Sequence, residues 1–259
     1  MIQTELDRFR MQAYITDTSS FLPNDPVDNE AMEPILGTVQ EIPSRTRKLI
    51  LRNNGIRSRY YAIDPRTHAI THTNAQLAAE AVRRLKPSPS FSPADIECLC
   101  CGTSSPDQTM PGHASMVHGE LGQAPCETVS MAGICVSGMA ALKYAVLNVM
   151  SGQVRNAVAT GSETASTYMR SAFHASRATS RVTEIEGDPA LAFEADFLRW
   201  MLSDGAGAVA VEPEPRSGAL CLRVEWIEMV SFAHELEPCM YAGAVKRPDG
   251  SLQGWREFG

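Results

Sequence analysis

The sequence predicts an α/β chain whose mixed or parallel sheet is covered by helices on both faces, and three observations carry that expectation. Apolar runs short enough to be buried strands alternate with stretches of helical periodicity, at residues 75–85, 96–102, 112–121, 126–130, 136–150 and 156–161. Turn-forming residues, Pro87 and Pro89, Pro93 and Asp95, and Gly152, punctuate the gaps between several of these runs. With 259 residues, 44% of them hydrophobic and 20% charged, the chain has an ordinary globular composition and length for one large or two modest domains.

Taken in order, residues 11–21 read as a strand that ends at the punctuation Pro23-Asn24-Asp25-Pro26. Leu77, Ala78, Ala81, Val82 and Leu85 recur at helical spacing before Pro87 and Pro89, which predicts an amphipathic helix over 75–85 packed on a sheet. Ser92-Pro93-Ala94-Asp95 introduces the apolar strand 96–102, so helix and strand form a crossover unit. The unit repeats as helix 112–121, strand 126–130, helix 136–150 and strand 156–161. In helix 136–150 only Lys143 and Asn148 are clearly polar, which predicts burial in the centre of the molecule and an N-terminus screened from water. Residues 168–199 form a long polar stretch broken by Gly187-Asp188-Pro189, read as a lid or insertion. Beyond it, Asp204-Gly205 suggests a tight turn, and the small residues that follow let a strand run close to another backbone up to Val211. Pro213, Pro215 and Gly218 end that strand, and the alternation over 220–232 predicts another.

A net charge of −7 argues against nucleic acid as the main partner, because phosphate binding draws on clustered Lys and Arg. The basic cluster Arg45-Thr46-Arg47-Lys48 with Arg52, Arg57 and Arg59 is local; it reads as a solvated helix face or as a docking patch for an acidic or phosphorylated carrier. Seven cysteines without framework spacing, and a polar N-terminus Gln3-Thr4-Glu5-Leu6-Asp7-Arg8, suggest a reducing cytoplasm. No apolar stretch approaches the ~20 residues that span a bilayer. Within Cys98-Leu99-Cys100-Cys101 a strand would turn Cys98 and Cys100 to one face, and no second Cys/His pair stands at zinc-site spacing, so no metal is expected.

Chemistry is predicted at Cys135, in Ser130-Met131-Ala132-Gly133-Ile134-Cys135-Val136-Ser137-Gly138, where a buried strand gives way to a helix. Unpaired N–H groups at a helix start carry partial positive charge, favour a thiolate and can hold an oxyanion. A buried filler role is the competing reading, since cysteine is among the most buried residue types.

The combined motifs resemble the thiolase-fold condensing enzymes, and within them the beta-ketoacyl-acyl-carrier-protein synthase III group. The pieces are Gly55-Ile56-Arg57-Ser58-Arg59, Gly102-Thr103-Ser104-Ser105-Pro106 with Met110-Pro111, the Cys135 elbow, Val158-Ala159-Thr160-Gly161-Ser162-Glu163 and Ser203-Asp204-Gly205-Ala206-Gly207-Ala208, in the family's order. Cys239-Met240-Tyr241-Ala242-Gly243-Ala244 with Asp249-Gly250-Ser251-Leu252 is similar to a subgroup making dialkylresorcinol or aryl-polyene products.

The resemblance implies a thiolase-like layered fold. One complete αβ half, residues 11–212, carries the nucleophile, and residues 219–259 begin a second half that looks truncated. It implies that Cys135 takes an acyl group from acyl-CoA or acyl carrier protein, with no further cofactor, and that a malonyl or β-ketoacyl thioester then condenses with it. Met110 falls where the family reaches across a homodimer into the partner's acyl pocket, and core packing is its competing reading. Arg52 is a candidate substrate contact, although the Asn53-Asn54-Gly55 spacing departs from the family by one residue. Asp204, Gly205 and Gly207 match a structural turn near the site.

The histidine and asparagine that the family's second half supplies have no counterpart motif here. His68, His72, His113, His118, His174 and His234 all read as structural or solvent-facing. Two other functions stay open on the residues alone: acyl transfer without condensation, and a non-catalytic subunit that binds a full-length partner.

Overall fold

The computed structural model describes residues 12–38, 44, 46–171, 197–237, 240 and 243–254. In chain order its strands and helices are β1 (Tyr14–Phe21), β2 (Val27–Asp28), α1 (Met32–Leu36), α2 (Arg47–Asn54), β3 (Ser58–Arg59), α3 (Asn74–Arg83), β4 (Cys98–Gly102), α4 (His113–Leu121) and β5 (Glu127–Met131). They continue with α5 (Ser137–Met150), β6 (Ala157–Glu163), α6 (Ser166–Met169), β7 (Gly205–Glu212), β8 (Leu222–Arg223), β9 (Ala244–Lys246) and β10 (Leu252–Gly254). The described residues group into two compact units. One takes the described residues within Met1–Phe21, Thr73–Glu163 and Gly205–Tyr241, the other those within Leu22–His72, Thr164–Asp204 and Ala242–Gly259.

The first unit is built on one six-stranded sheet in the order β5-β4-β6-β7-β1-β8. β4 runs parallel to both β5 and β6, whereas β7 is antiparallel to β6 and to β1, so the sheet is mixed as expected. Every residue of β4 is buried, which is what a central strand with helices on both faces requires. On one face Leu99, Cys101, Val158 and Ala208 pack against Leu77, Ala78 and Val82 of α3 and Ala114 and Val117 of α4. On the other, Cys98, Cys100, Ala159 and Val211 pack against Ala141, Ala145 and Val149 of α5. The period-2 alternation within Cys98-Leu99-Cys100-Cys101 thus divides the cysteines between two cores. Cys98 and Cys100 share a face with their Sγ atoms 3.5 Å apart, and burial holds the Cys101 thiol up at about 12.

α3 starts where the side chains allow it. The Thr73 hydroxyl accepts the Gln76 N–H while the Gln76 side chain takes the Thr73 N–H, a reciprocal cap that satisfies two orphan donors. α5 departs from its sequence reading. Ala141, Ala145, Val146, Asn148 and Val149 are buried, but Met139 and Leu147 lie on an exposed flank, so the helix is covered on one side and not all round. Asn148, read as a polar outlier, is buried because its amide donates to Glu127 of β5 at 2.9 Å, and Tyr144 donates to the same carboxylate at 2.6 Å.

The strand expected over 220–232 reduces to β8, two residues paired with the end of β1. Alternation alone does not hold a strand without a partner ladder, and Leu220, Trp226, Val230 and Phe232 are exposed.

The second unit has its own core, in which Met32, Ile35, Leu36, Ile50, Tyr61, Ile63, Met169 and Trp200 pack together. Trp200 anchors it, fully buried with its indole N–H donated to Ser44 Oγ at 3.1 Å. The guanidinium groups of Arg47 and Arg59 lie 5.2 and 5.7 Å from the ring centroid, a cation–π arrangement. This corrects the uniform view of the basic cluster. Arg52 and Arg57 are exposed, while Arg59 is 1% exposed and donates to Asn29 Oδ1 at 2.6 Å and to the Trp200 carbonyl. β2 pairs with β3, and β9 with β10 around Asp249-Gly250, as two short antiparallel ladders. Of the long polar stretch 168–199, residues 172–196 lie outside the described residues, as do His174, Cys239 and Arg45.

Candidate functional site

The parallel strands β4, β5 and β6 all end on the same side of the sheet, at Gly102, Met131 and Glu163, and such C-terminal edges are where open α/β sheets carry their ligands. β5 leads through Ala132 and Gly133 into a single 3₁₀ turn, Ile134–Val136, and then directly into α5. Cys135 sits in that turn, exposed. Burial as core filler does not describe it, and the expected screening of the α5 N-terminus is not found either, because one flank of the helix is bare. Ile134 has a φ of 52°, a left-handed conformation that a β-branched side chain resists, so the backbone before the cysteine is strained. Ser137, buried at the start of α5, closes the turn by donating its hydroxyl to the Ile134 carbonyl at 2.7 Å.

One glycine determines how close α5 comes to the sheet. A Cβ on Gly102 would lie 2.2 Å from the Ser137 carbonyl oxygen, whereas one on Gly138 would lie in ordinary contact, 3.4 Å from Gly161 Cα. Bare backbone at the end of β4 lets the first turn of α5 settle there, and the turn carrying Cys135 is placed by that contact.

Met110 is 80% exposed, on the segment between β4 and α4. It is no core methionine. Gly205 and Gly207 lie inside β7, opposite Glu163 and Gly161 of β6, so the expected tight turn at Asp204-Gly205 is a strand entry instead. Asp204 belongs to the second unit and is 1% exposed. Its carboxylate accepts the Ala62 N–H at 2.7 Å, the Ser166 N–H at 2.8 Å and the Ser166 hydroxyl at 2.5 Å. Arg52, also in the second unit, stands exposed in the last turn of α2. Cys135, Met110, Gly205 and Gly207 therefore share the first unit, and Arg52 and Asp204 the second. Among the described residues no group of three or more His, Cys, Asp or Glu is arranged to hold a metal ion.

Four side chains shape this edge of the sheet: Asn74 and Asp107, which sequence reasoning passed over, Glu163, which it quoted only within a motif, and His113, which it read as structural or solvent-facing and which is buried. His113 is 3% exposed at the first position of α4, with Nε2 3.1 Å from Ser162 Oγ and Nδ1 buried without a hydrogen-bond partner. Burial lowers its imidazole from 6.5 to about 4. The unfolded chain therefore takes up this proton first as pH falls, and stability is expected to drop by up to about 3 kcal/mol between roughly pH 6.5 and 4. Above pH 6.5 the ring is neutral in both states and contributes no slope. Chemical denaturation of wild type and His113→Gln across that window checks this; equal pH slopes would show that His113 is not the group responsible.

The family model described as beta-ketoacyl synthase, N-terminal domain, matches residues 40–216. Among curated relatives, a beta-ketoacyl-[acyl-carrier-protein] synthase III of Rhizorhabdus wittichii is 30% identical over 153 residues, covering 59% of this chain and 44% of the relative. One of Roseobacter denitrificans is 27% identical over 208 residues, covering 80% and 54%. The chain spans about half the length of the curated relatives it matches. The structure of 3-oxoacyl-(acyl carrier protein) synthase III from Pseudomonas aeruginosa superposes with a TM-score of 0.63 at 18% identity, covering 94% of this chain and 63% of that one. That of Xanthomonas campestris OleA gives 0.59 at 19% identity, covering 78% and 58%. At these identities the two structures establish the thiolase-like α/β fold.

Proposed function

Since the chain belongs to the beta-ketoacyl synthase family through its N-terminal domain, we propose that Cys135 is an acyl acceptor in a beta-ketoacyl-acyl-carrier-protein synthase III type of reaction. One observation carries the reading: the exposed thiol on a strained turn between a parallel strand and the helix that the end of β4 seats. The Cys135 thiolate attacks the carbonyl carbon of an acyl thioester of CoA or acyl carrier protein. The tetrahedral oxyanion is held by backbone N–H groups of the turn, the old C–S bond breaks, and the CoA or carrier thiol leaves with the proton. In the whole protein a malonyl thioester then loses carbon dioxide, and its carbanion attacks the acyl-cysteine and releases the thiolate. That step needs donors on the extender carbonyl, and no histidine motif of the family's second half occurs in this sequence.

The same reading makes the protein a homodimer. Among the described residues β5 is an edge strand with β4 as its one neighbour in the sheet, and the exposed Met110 becomes a wall of the partner's acyl pocket. Sedimentation at micromolar concentration tests this, a monomer speaking against it. Arg52, exposed in the second unit, is the candidate contact for a phosphate of CoA or of a carrier's prosthetic arm; Arg52→Ala is expected to raise the Kd for CoA about tenfold, and an unaltered Kd removes it as a contact.

Burial sets a simple chemical test. Cys135 is exposed while Cys98, Cys100 and Cys101 are fully buried, so brief treatment with iodoacetamide is expected to label Cys135 and spare those three. Prior incubation with acyl-CoA should block that label. Labelling unaffected by acyl-CoA counts against acyl transfer to this thiol. Carbon dioxide release from a malonyl carrier then distinguishes condensation from acyl transfer to another acceptor.

A further inference from the structure

The segment from Thr103 to Gly112 ends in the exposed Met110, yet its root is tied down on three sides. The Thr103 N–H donates to the Met131 carbonyl at 3.1 Å, which fastens the segment to β5. The Glu163 carboxylate, at the end of β6, accepts the Ser104 N–H at 2.6 Å and the Ser105 hydroxyl at 2.5 Å. Asn74, 0% exposed at the start of α3, donates its amide to Thr103 Oγ1 and to the Ser105 carbonyl, both at 2.8 Å. Farther out, the Asp107 carboxylate accepts the N–H groups of Asn74 and Ala75 at 2.8 Å each, an acidic group on the first turn of a helix. Both carboxylates hold backbone donors of the neighbouring elements, which makes the arm a braced part of the sheet edge rather than a free loop.

We propose that Glu163, with Asn74 and Asp107, is a positioning residue that fixes how far Met110 stands out from the sheet and thereby sets the acyl length the protein accepts. The proposal rests on Met110 being a wall of the acyl pocket. A wall on a slack arm gives way to a longer chain, and each methylene then costs little. A wall on a braced arm resists, and one methylene is worth roughly 10-fold or more in discrimination.

The test uses the full chain and an equimolar mixture of butyryl-, hexanoyl-, octanoyl- and decanoyl-CoA, reading the ratio of acyl masses on the Cys135 peptide. Glu163→Ala is expected to flatten the wild-type ratio by about tenfold. Glu163→Gln keeps an acceptor for the Ser104 N–H and is expected to stay within about twofold of wild type. Asp107→Asn, which loses one of the two bonds to α3, should fall between them and decides the matter if Glu163→Ala does not fold. A wild-type ratio in Glu163→Ala and Asp107→Asn, beside an altered ratio in Met110→Ala, overturns the positioning role and leaves the Met110 wall standing. A wild-type ratio in Met110→Ala overturns both. No acyl mass on wild-type Cys135 overturns the acyl-acceptor reading and this proposal with it.

Discussion

Replacing Asp204 by alanine is expected to destabilise the protein by about 4 kcal/mol through the loss of buried hydrogen bonds. Asp204 is 1% exposed, and its two oxygens accept the N–H groups of Ala62 and Ser166 together with the Ser166 hydroxyl. Truncation leaves two buried N–H donors without that acceptor, each costing about 1–3 kcal/mol, and replaces a carboxylate by a void. Asn should cost less, about 2 kcal/mol, because its carbonyl still takes one donor while its amide faces another. A domain of ordinary stability holds about 5–15 kcal/mol in total, so the alanine variant should be poorly folded at 37 °C. Denaturant titration of wild type, Asp204→Asn and Asp204→Ala checks the order and the size. Losses under about 1 kcal/mol for both would mean that the carboxylate does not tie residue 62 to residue 166.

Gly102→Ala is expected to act through space rather than through hydrogen bonding. Its new Cβ would fall 2.2 Å from the Ser137 carbonyl oxygen, a backbone atom that cannot swing away as the end of a long side chain can. Either β4 or the first turn of α5 has to move. Overpacking of this kind costs about 1–3 kcal/mol, and about 3 is expected here because the obstacle is backbone. At 2–4 °C per kcal/mol for a chain of this size, the melting temperature should fall by roughly 6–12 °C. Gly119→Ala offers a control, since its Cβ would meet nothing within 4 Å. The Gly102 variant should also change the rate at which iodoacetamide labels Cys135, because the displaced turn carries that thiol. An unchanged melting temperature and labelling rate would show that the glycine contact does not seat the helix.

Much of this fold is written in local pattern, and the exceptions have physical reasons. α3 was legible because Leu77, Ala78, Ala81 and Val82 repeat at helical spacing, a signal that acts within one element, whereas its Thr73 cap went unread. β4 was legible because a strand covered on both faces must be apolar throughout. The burial of α5 was over-read, since an apolar sequence does not say which flank a neighbour covers, and Met139 and Leu147 face outward. The alternation over 220–232 misled for a related reason: period 2 describes a strand only where another strand pairs with it. Arg59 was hidden in a basic cluster, because its burial under Trp200 joins residues 141 positions apart.

The site divides along the same line. Cys135 stood out because strand, small residues and helix start follow one another in sequence. Glu163, Asn74 and Asp107 did not, because their role exists only once β4, β6 and α3 are side by side. Their short polar segment 103–107 is punctuated by Ser104-Ser105-Pro106, which signals a loop but not a brace.

Acyl transfer to Cys135 is open to peptide mass analysis after incubation of the full chain with butyryl-CoA. The expected result is the butyryl mass on the peptide containing Cys135, absent from Cys135→Ala and removed by neutral hydroxylamine as a thioester is. A wild-type peptide that stays unmodified, or a label that persists in Cys135→Ala, would mean that Cys135 is not the acyl acceptor.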